Sequence, residues 1–328
     1  MSVAISSPAP RRLGFLQALR GIPILGPVLA LILACIFFST QSGRFLTGGN
    51  FSLILQQVVV VGTLAIGQTL VILTGGIDLS NGMIMALSSV LMTGLYANSG
   101  VDPYLTVLIG LVVCVAIGGL NGWLSTAIGL PPFIVTLGTY SIAFSLVRIY
   151  TTATITSVPP ALLFFGNTFR IGSTAITYGT VVMLILFLIA WFVLRSTPAG
   201  RAIYAVGDNP EAARLAGIHT SRVLVVVYTV AAVSYGIAGL LLVGRIGVGD
   251  PNAGQTGNLD SITAVVLGGT SLLGGRGEIM GTLVGALIIG VFRNGLQLMG
   301  VGANYQVLIT GILVILAVSV DYLSHRGK

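Results

Sequence analysis

Nine apolar runs, each near the ~20 residues that a helix needs to cross a bilayer, follow one another along this 328-residue chain. They cover residues 22–40, 52–73, 79–97, 104–128, 132–149, 176–194, 222–244, 277–297 and 304–322. In lipid every backbone N–H and C=O must find its partner inside the protein, so runs of this length fold as helices. A tenth segment, Leu259–Leu273, holds only 15 residues and is interrupted by Gly268 and Gly269, the pattern of a broken or re-entrant helix. The chain therefore reads as an all-α polytopic membrane protein of about ten transmembrane helices, one of them short and broken near 259–273. Counting that segment as a crossing brings both chain ends to the same side.

The charges support this count. Only 7% of residues are charged, against roughly 25% in soluble domains. Ten crossings put Arg11, Arg12, Arg20, Arg195, Arg201, Arg214, Arg222, Arg276, Arg326 and Lys328 inside. Arg44, Arg148, Arg170, Arg245 and Arg293 fall outside. That excess is the expected cytoplasmic bias of basic residues. It predicts a cytoplasmic N-terminal tail over 1–21, a membrane domain over 22–322 and a cytoplasmic C-terminal tail over 323–328. Because the basic residues are scattered at segment ends rather than clustered, a nucleic-acid partner is excluded despite a pI near 9.8. Cys35 and Cys114 lie inside apolar runs and read as small buried hydrophobes. The run continues past Cys35 through Phe38, as an uncleaved span does.

The longest polar interruption is 195–222, which holds Arg195, Arg201, Asp208, Glu211, Arg214 and Arg222. Within it, Asn209-Pro-Glu-Ala-Ala-Arg-Leu-Ala-Gly217 carries the punctuation of a short helix. Asn209 is the cap, Pro210 the first helical residue, Glu211 favours the positive end of the dipole, and Gly217 is the stop. Its remaining face, Ala212, Ala213, Leu215 and Ala216, suits a groove on a soluble partner. The alternative is a connector lying at the membrane surface. Lys328 is the chain's single lysine, so no phosphate-cradling Gly-Lys-Ser/Thr loop can be built. Catalytic constellations are missing too: there is no Gly-x-Ser-x-Gly, no His-Glu-x-x-His and no useful carboxylate pair. The chain is expected to bind no cofactor, to be no enzyme, and to draw any ATP energy from another polypeptide.

Candidates for a solute pathway are mostly uncharged. Gln57 and Gln68 share a face of the second span, Asn121 lies in the fourth, and Thr136, Thr139 and Tyr140 form an i, i+3, i+4 set on the fifth. Such groups exchange hydrogen bonds with a neutral polyhydroxylated solute, or bind helices to one another. Asp78 is read either as a gating carboxylate or, more simply, as a cap with Ser80 for the third span. Thr74-Gly-Gly-Ile-Asp-Leu-Ser-Asn-Gly82 and Gly268-Gly-Thr-Ser-Leu-Leu-Gly-Gly-Arg-Gly-Glu278 each end one apolar run and open another, which hints at duplicated halves. Gly281 and Gly285, four residues apart, suit close helix approach.

Three stretches carry a resemblance: Thr69–Ser80, Gly200–Ile218 and Leu259–Gly277. Together, and in this order, they resemble the membrane permease subunits of ribose-type monosaccharide ABC importers, over about 22–322. The resemblance implies a homodimer of ten-span subunits in a bacterial inner membrane, with both termini cytoplasmic. It also implies a cytoplasmic ATP-binding subunit, an extracytoplasmic sugar-binding protein and a lipid surround. The cargo would be a pentose, a hexose or a close relative; a branched-chain amino acid permease is the nearest alternative. By the same resemblance, 209–217 is a coupling helix, and the ATPase contact set is Gly200, Arg201, Asn209, Pro210, Glu211, Ala212, Ala213, Arg214, Leu215 and Gly217. Its apolar face, Ala213 with Leu215, is expected to be buried in a cleft of the ATPase.

Overall fold

The computed structural model describes residues 24–326. The tail 1–21, with Arg11, Arg12 and Arg20, lies outside these residues, as does Lys328. The helices run α1 Leu25–Gln41, α2 Gly48–Leu73, α3 Asn81–Ser99, α4 Pro103–Ala127 and α5 Pro132–Tyr150. After a turn of helix, α6 Pro160–Leu163, come strands β1 Thr168–Ile171 and β2 Thr174–Thr177. The order then continues α7 Tyr178–Ser196, α8 Pro198–Asp208, α9 Pro210–Leu215, α10 Thr220–Ile246, α11 Gly257–Leu267, α12 Ile279–Leu298 and α13 Ala303–Arg326.

Six of these, α2, α4, α5, α7, α10 and α12, are long and apolar enough to cross a membrane on their own. The other apolar runs are helical but do not meet that measure. α1 has 17 residues. α3 has 19 but is diluted by Asn81, Ser88, Ser89 and Thr93. In α13 the fully described apolar stretch is Ala303–Leu316. α11 has 11 residues and stops at Leu267, just before the glycine pair that the sequence marks as a break. Residues 268–278 then run without regular structure, turning on positive φ at Gly269, Gly274, Gly275 and Gly277.

The two strands depart from an all-α fold. They pair antiparallel, with Ile171 opposite Thr174 across Gly172-Ser173, and Gly172 takes φ +60°. A glycine at the first of two turn residues is the signal for such a hairpin. The hairpin docks on the start of α2, where Ala175 N–H donates to Ser52 Oγ at 2.7 Å.

Burial sorts the helices. α2 is 83% buried over its apolar window, and α3 is buried over most of its length. They pack against α10, α11 and α12. α4, α5 and α7 are buried over only 22–33% of theirs, and turn Leu108, Ile142, Leu146, Leu184, Leu188 and Phe192 outward. An apolar outer surface this extensive needs lipid rather than water around it. Backbone contact holds the centre together. A Cβ on Gly281 would strike the Gly268 carbonyl and one on Gly285 the Ala264 carbonyl, so α11 and α12 meet through the glycine pair that the sequence suggested for close approach.

Candidate functional site

The loop 196–219 folds as two helices. Thr197 opens α8 by accepting from Gly200 N–H, with Pro198 at the first position. α9 has the ends expected of it. Asn209 Oδ1 accepts from Ala212 N–H at 2.9 Å, and Pro210 occupies the first position. At the other end Ile218 N–H donates to Ala213 O, and Gly217 N–H to Arg214 O, both at 3.0 Å, with Gly217 at φ +86°. That pair of bonds is a Schellman stop. Replacing Gly217 with a branched residue would force a side chain into left-handed backbone, so Gly217→Val should fray α9 and lower the loop's protection from hydrogen exchange.

One face differs from expectation. Ala213 is 4% exposed and packs into this chain itself, whereas Leu215 is 76% exposed. The surface open to a partner is therefore Glu211, Ala212, Arg214, Leu215 and Ala216. Glu211 and Arg214 pair at 2.7 Å on that surface, and the guanidinium holds the Glu211 carboxyl below its usual range. An exposed pair of this kind is held weakly. Arg201 is exposed too, whereas Gly200 is buried under the end of α7, where a Cβ would meet the carbonyls of Val193 and Leu194.

The end of α8 meets both glycine-rich segments. Gly275 N–H donates to Leu73 O at 3.0 Å, and Tyr204 Oη donates to Gly277 O at 2.8 Å. Burial and the nearby Glu278 carboxylate push the Tyr204 hydroxyl above its usual range, so it stays a donor. A Cβ on Gly207 would fall inside the Leu73 carbonyl, and one on Gly274 would lie 2.8 Å from Gly75 N. The polar loop, the segment after α2 and the segment after α11 thus touch backbone to backbone.

Directly behind this junction lies a buried polar network. Asp78 Oδ1 accepts from Ser80 N–H at 2.8 Å and from Ser80 Oγ at 2.6 Å. Asp78 therefore closes a turn ahead of α3, while Ser80, the cap residue of α3, makes no side-chain cap bond. Asn121 Nδ2 donates to Ser80 Oγ, and Thr139 Oγ1 donates to Asn121 Oδ1 at 2.5 Å. Thr136 Oγ1 donates to Ile77 O and accepts from Leu79 N–H, both at 3.1 Å. Gln68 Oε1 accepts from Asn81 Nδ2, which also donates to Ser261 Oγ. Five sequence candidates, Gln68, Asp78, Asn121, Thr136 and Thr139, meet here, each at most 8% exposed. Tyr140 does not; it packs beside the apolar cluster of Met83, Ala86 and Ala143.

Gln57 stands apart, in a separate cavity of about 290 Å³. Its Nε2 faces Gln297 Oε1 at 3.4 Å. The same wall holds a pair that the sequence did not reveal, Asp260 of α11 with Arg293 Nη2 of α12 at 2.5 Å. Arg293 thus lies within α12 and is partly buried. The available signal was a charge four residues before the end of the apolar run 277–297.

With this geometry in place, comparison with known proteins is direct. Residues 50–318 match the family described as the branched-chain amino acid transport system / permease component. The chain belongs to this permease family. It is 47% identical over 306 residues to the fructose import permease protein of Rhizobium meliloti, covering 91% of this chain and 85% of that one. Identity to the ribose import permease protein of Bacillus subtilis is 43%, covering 90% and 92%. The D-allose transport system permease protein of Escherichia coli is 38% identical, covering 91% of each. No solved structure matches. This permease is thus a multi-pass membrane component of a transport system, whose ATPase and substrate-binding protein are separate subunits.

Proposed function

We propose that this permease forms half of the transmembrane passage of an ATP-driven, binding-protein-dependent importer of a monosaccharide in a bacterial inner membrane. Identity of 47% along 91% of the chain to a fructose import permease carries the reading. In this reading α1–α5, α7 and α10–α13 are ten crossings, and a second copy completes the passage. The loop 195–222 and both tails are cytoplasmic, and the outward apolar faces of α4, α5 and α7 contact lipid. The chain binds no cofactor; ATP is hydrolysed by the partner subunit. The exposed side of α9, with Leu215 at its centre, sits in a groove of that ATPase. When the ATPase closes, α9 moves α8, and α8 moves the two glycine-rich segments fused to it. Support comes from the contacts of Gly207, Gly274 and Gly275 and from the polar network behind them.

Uptake of labelled D-fructose, D-ribose and D-allose by vesicles holding the permease, its ATPase and its binding protein tests this. ATP-dependent accumulation of one sugar, blocked without the ATPase, is expected. L-leucine uptake with none of the sugars would favour the amino acid transport that the family description names. Topology is tested separately, because the 19 residues of α3 separate Asn98 from the loop end. Cysteines replacing Asp208 and Asn98, both exposed, should react with an impermeant maleimide from opposite faces. Labelling from one face would remove the ten-crossing arrangement.

A further inference from the structure

The cavity at Gln57 has a chemistry of its own. Besides Thr256, its wall gathers six polar side chains from five helices: Gln57 of α2, Arg245 of α10, Asp260 of α11, Arg293 and Gln297 of α12, and Gln306 of α13. Apolar neighbours Val60, Val61, Leu64 and Leu242 close the rest. Arranging two guanidinium groups, three carboxamides and a carboxylate around an apolar floor is costly in a membrane protein, and such residues mark ligand paths. Two acceptors in this wall have no partner: the second oxygen of Asp260, a residue 3% exposed, and Oε1 of Gln57. Among the described residues Arg245 has no carboxylate partner either. In folded proteins most buried polar groups find partners, so unpaired acceptors in a cavity wall leave room for a ligand's donors.

We infer that this cavity is a holding site for a monosaccharide, built entirely within one copy of the permease; the inference rests on the importer reading above. A sugar ring carries neighbouring hydroxyls, each both donor and acceptor. A guanidinium fork donates to two adjacent hydroxyl oxygens, and a carboxylate or carboxamide oxygen accepts from them. The wall offers both kinds of group. Its volume falls at the small end of ligand pockets, which begin near ~300 Å³. The apolar side, Val60, Val61 and Leu64, suits the C–H face of the ring. With one carboxylate to two guanidinium groups, the site disfavours a cation. The network at Asp78 also holds unpaired atoms, Gln68 Nε2 and Asn81 Oδ1, but its named members are at most 8% exposed and none of them lines this cavity. A sugar released by the binding protein would thus exchange its hydrogen bonds here before the deeper helices part.

The test uses the assembled importer. In a Cys35→Ala/Cys114→Ala background, Gln306→Cys is alkylated by N-ethylmaleimide with and without saturating D-fructose and binding protein. The expected result is about tenfold slower alkylation with D-fructose, the order of one lost favourable contact set, and no slowing with L-leucine. In the otherwise wild-type chain, Gln306→Leu and Asp260→Asn should each lower maximal uptake about tenfold at equal abundance. The half-saturating sugar concentration should stay put, because the binding protein sets it. A merely structural role for Gln306 predicts no protection. If the importer carries D-fructose but the sugar gives no protection, or L-leucine protects equally, the site is refuted and the importer reading survives. If the wild-type importer carries no sugar at all, both fall.

Discussion

Gly207→Val is expected to abolish uptake and to lower the yield of monodisperse permease severely, and Gly207→Ala, whose Cβ already meets the Leu73 carbonyl, to lower both in lesser degree. A side chain at 207 would enter the Leu73 carbonyl and lie 2.6 Å from Gly275 N, and both obstacles are backbone. Backbone cannot swing aside as a side-chain tip does, so α8 must lift from the two segments it touches. Overpacking in tight interiors costs about 1–3 kcal/mol and more where nothing yields. The same lift removes the Gly275–Leu73 and Tyr204–Gly277 hydrogen bonds, each worth about 1 kcal/mol. Size-exclusion profile, thermal unfolding midpoint and uptake report the three consequences. A Gly207→Val permease with a normal midpoint and normal uptake would show that the junction is not tight in the working protein.

Leu215→Glu should have the largest effect on transport with the least on the fold. Its side chain is 76% exposed, so the permease should insert and fold as before. In the proposed complex, however, the apolar tip sits in an ATPase groove. A carboxylate there would be buried without a partner, at several kcal/mol. Uptake should vanish, and ATP hydrolysis by the complex should lose its stimulation by loaded binding protein. Ala213→Glu is a poor substitute for this experiment: at 4% exposure it would disturb the permease itself. Wild-type stimulation in Leu215→Glu would refute contact through this face.

The helices were legible because lipid leaves one local solution. A run such as 132–149 must be a helix, and its start is announced by Pro131-Pro132, so observed and expected ends differ by a residue at most. The same holds for α9, whose caps are all written within Asn209–Gly217. What failed to show was everything set by packing between distant elements. Which side of a six-residue helix faces inward depends on the neighbours of Ala213, not on its own sequence. Asp260 and Arg293 lie 33 residues apart on different helices, and each alone looks like a charge near a span end. The hairpin at 168–177 does carry a local signal, Gly172-Ser173 between β-prone residues, but strands are not expected inside a helical membrane chain.

The central place of α2 bears on how the chain is made. It is nearly the first helix to leave the ribosome, yet it packs against α10, α11 and α12, which begin only at residues 220, 257 and 279. Until they arrive, Gln57 lacks Gln297 and Thr69 lacks Thr282, its partner at 2.9 Å. A nascent α2 must therefore wait in the membrane with polar groups facing lipid, or be shielded by an insertion chaperone. Chains truncated before residue 220 would carry this helix permanently unhoused, and quality-control proteases would find them first.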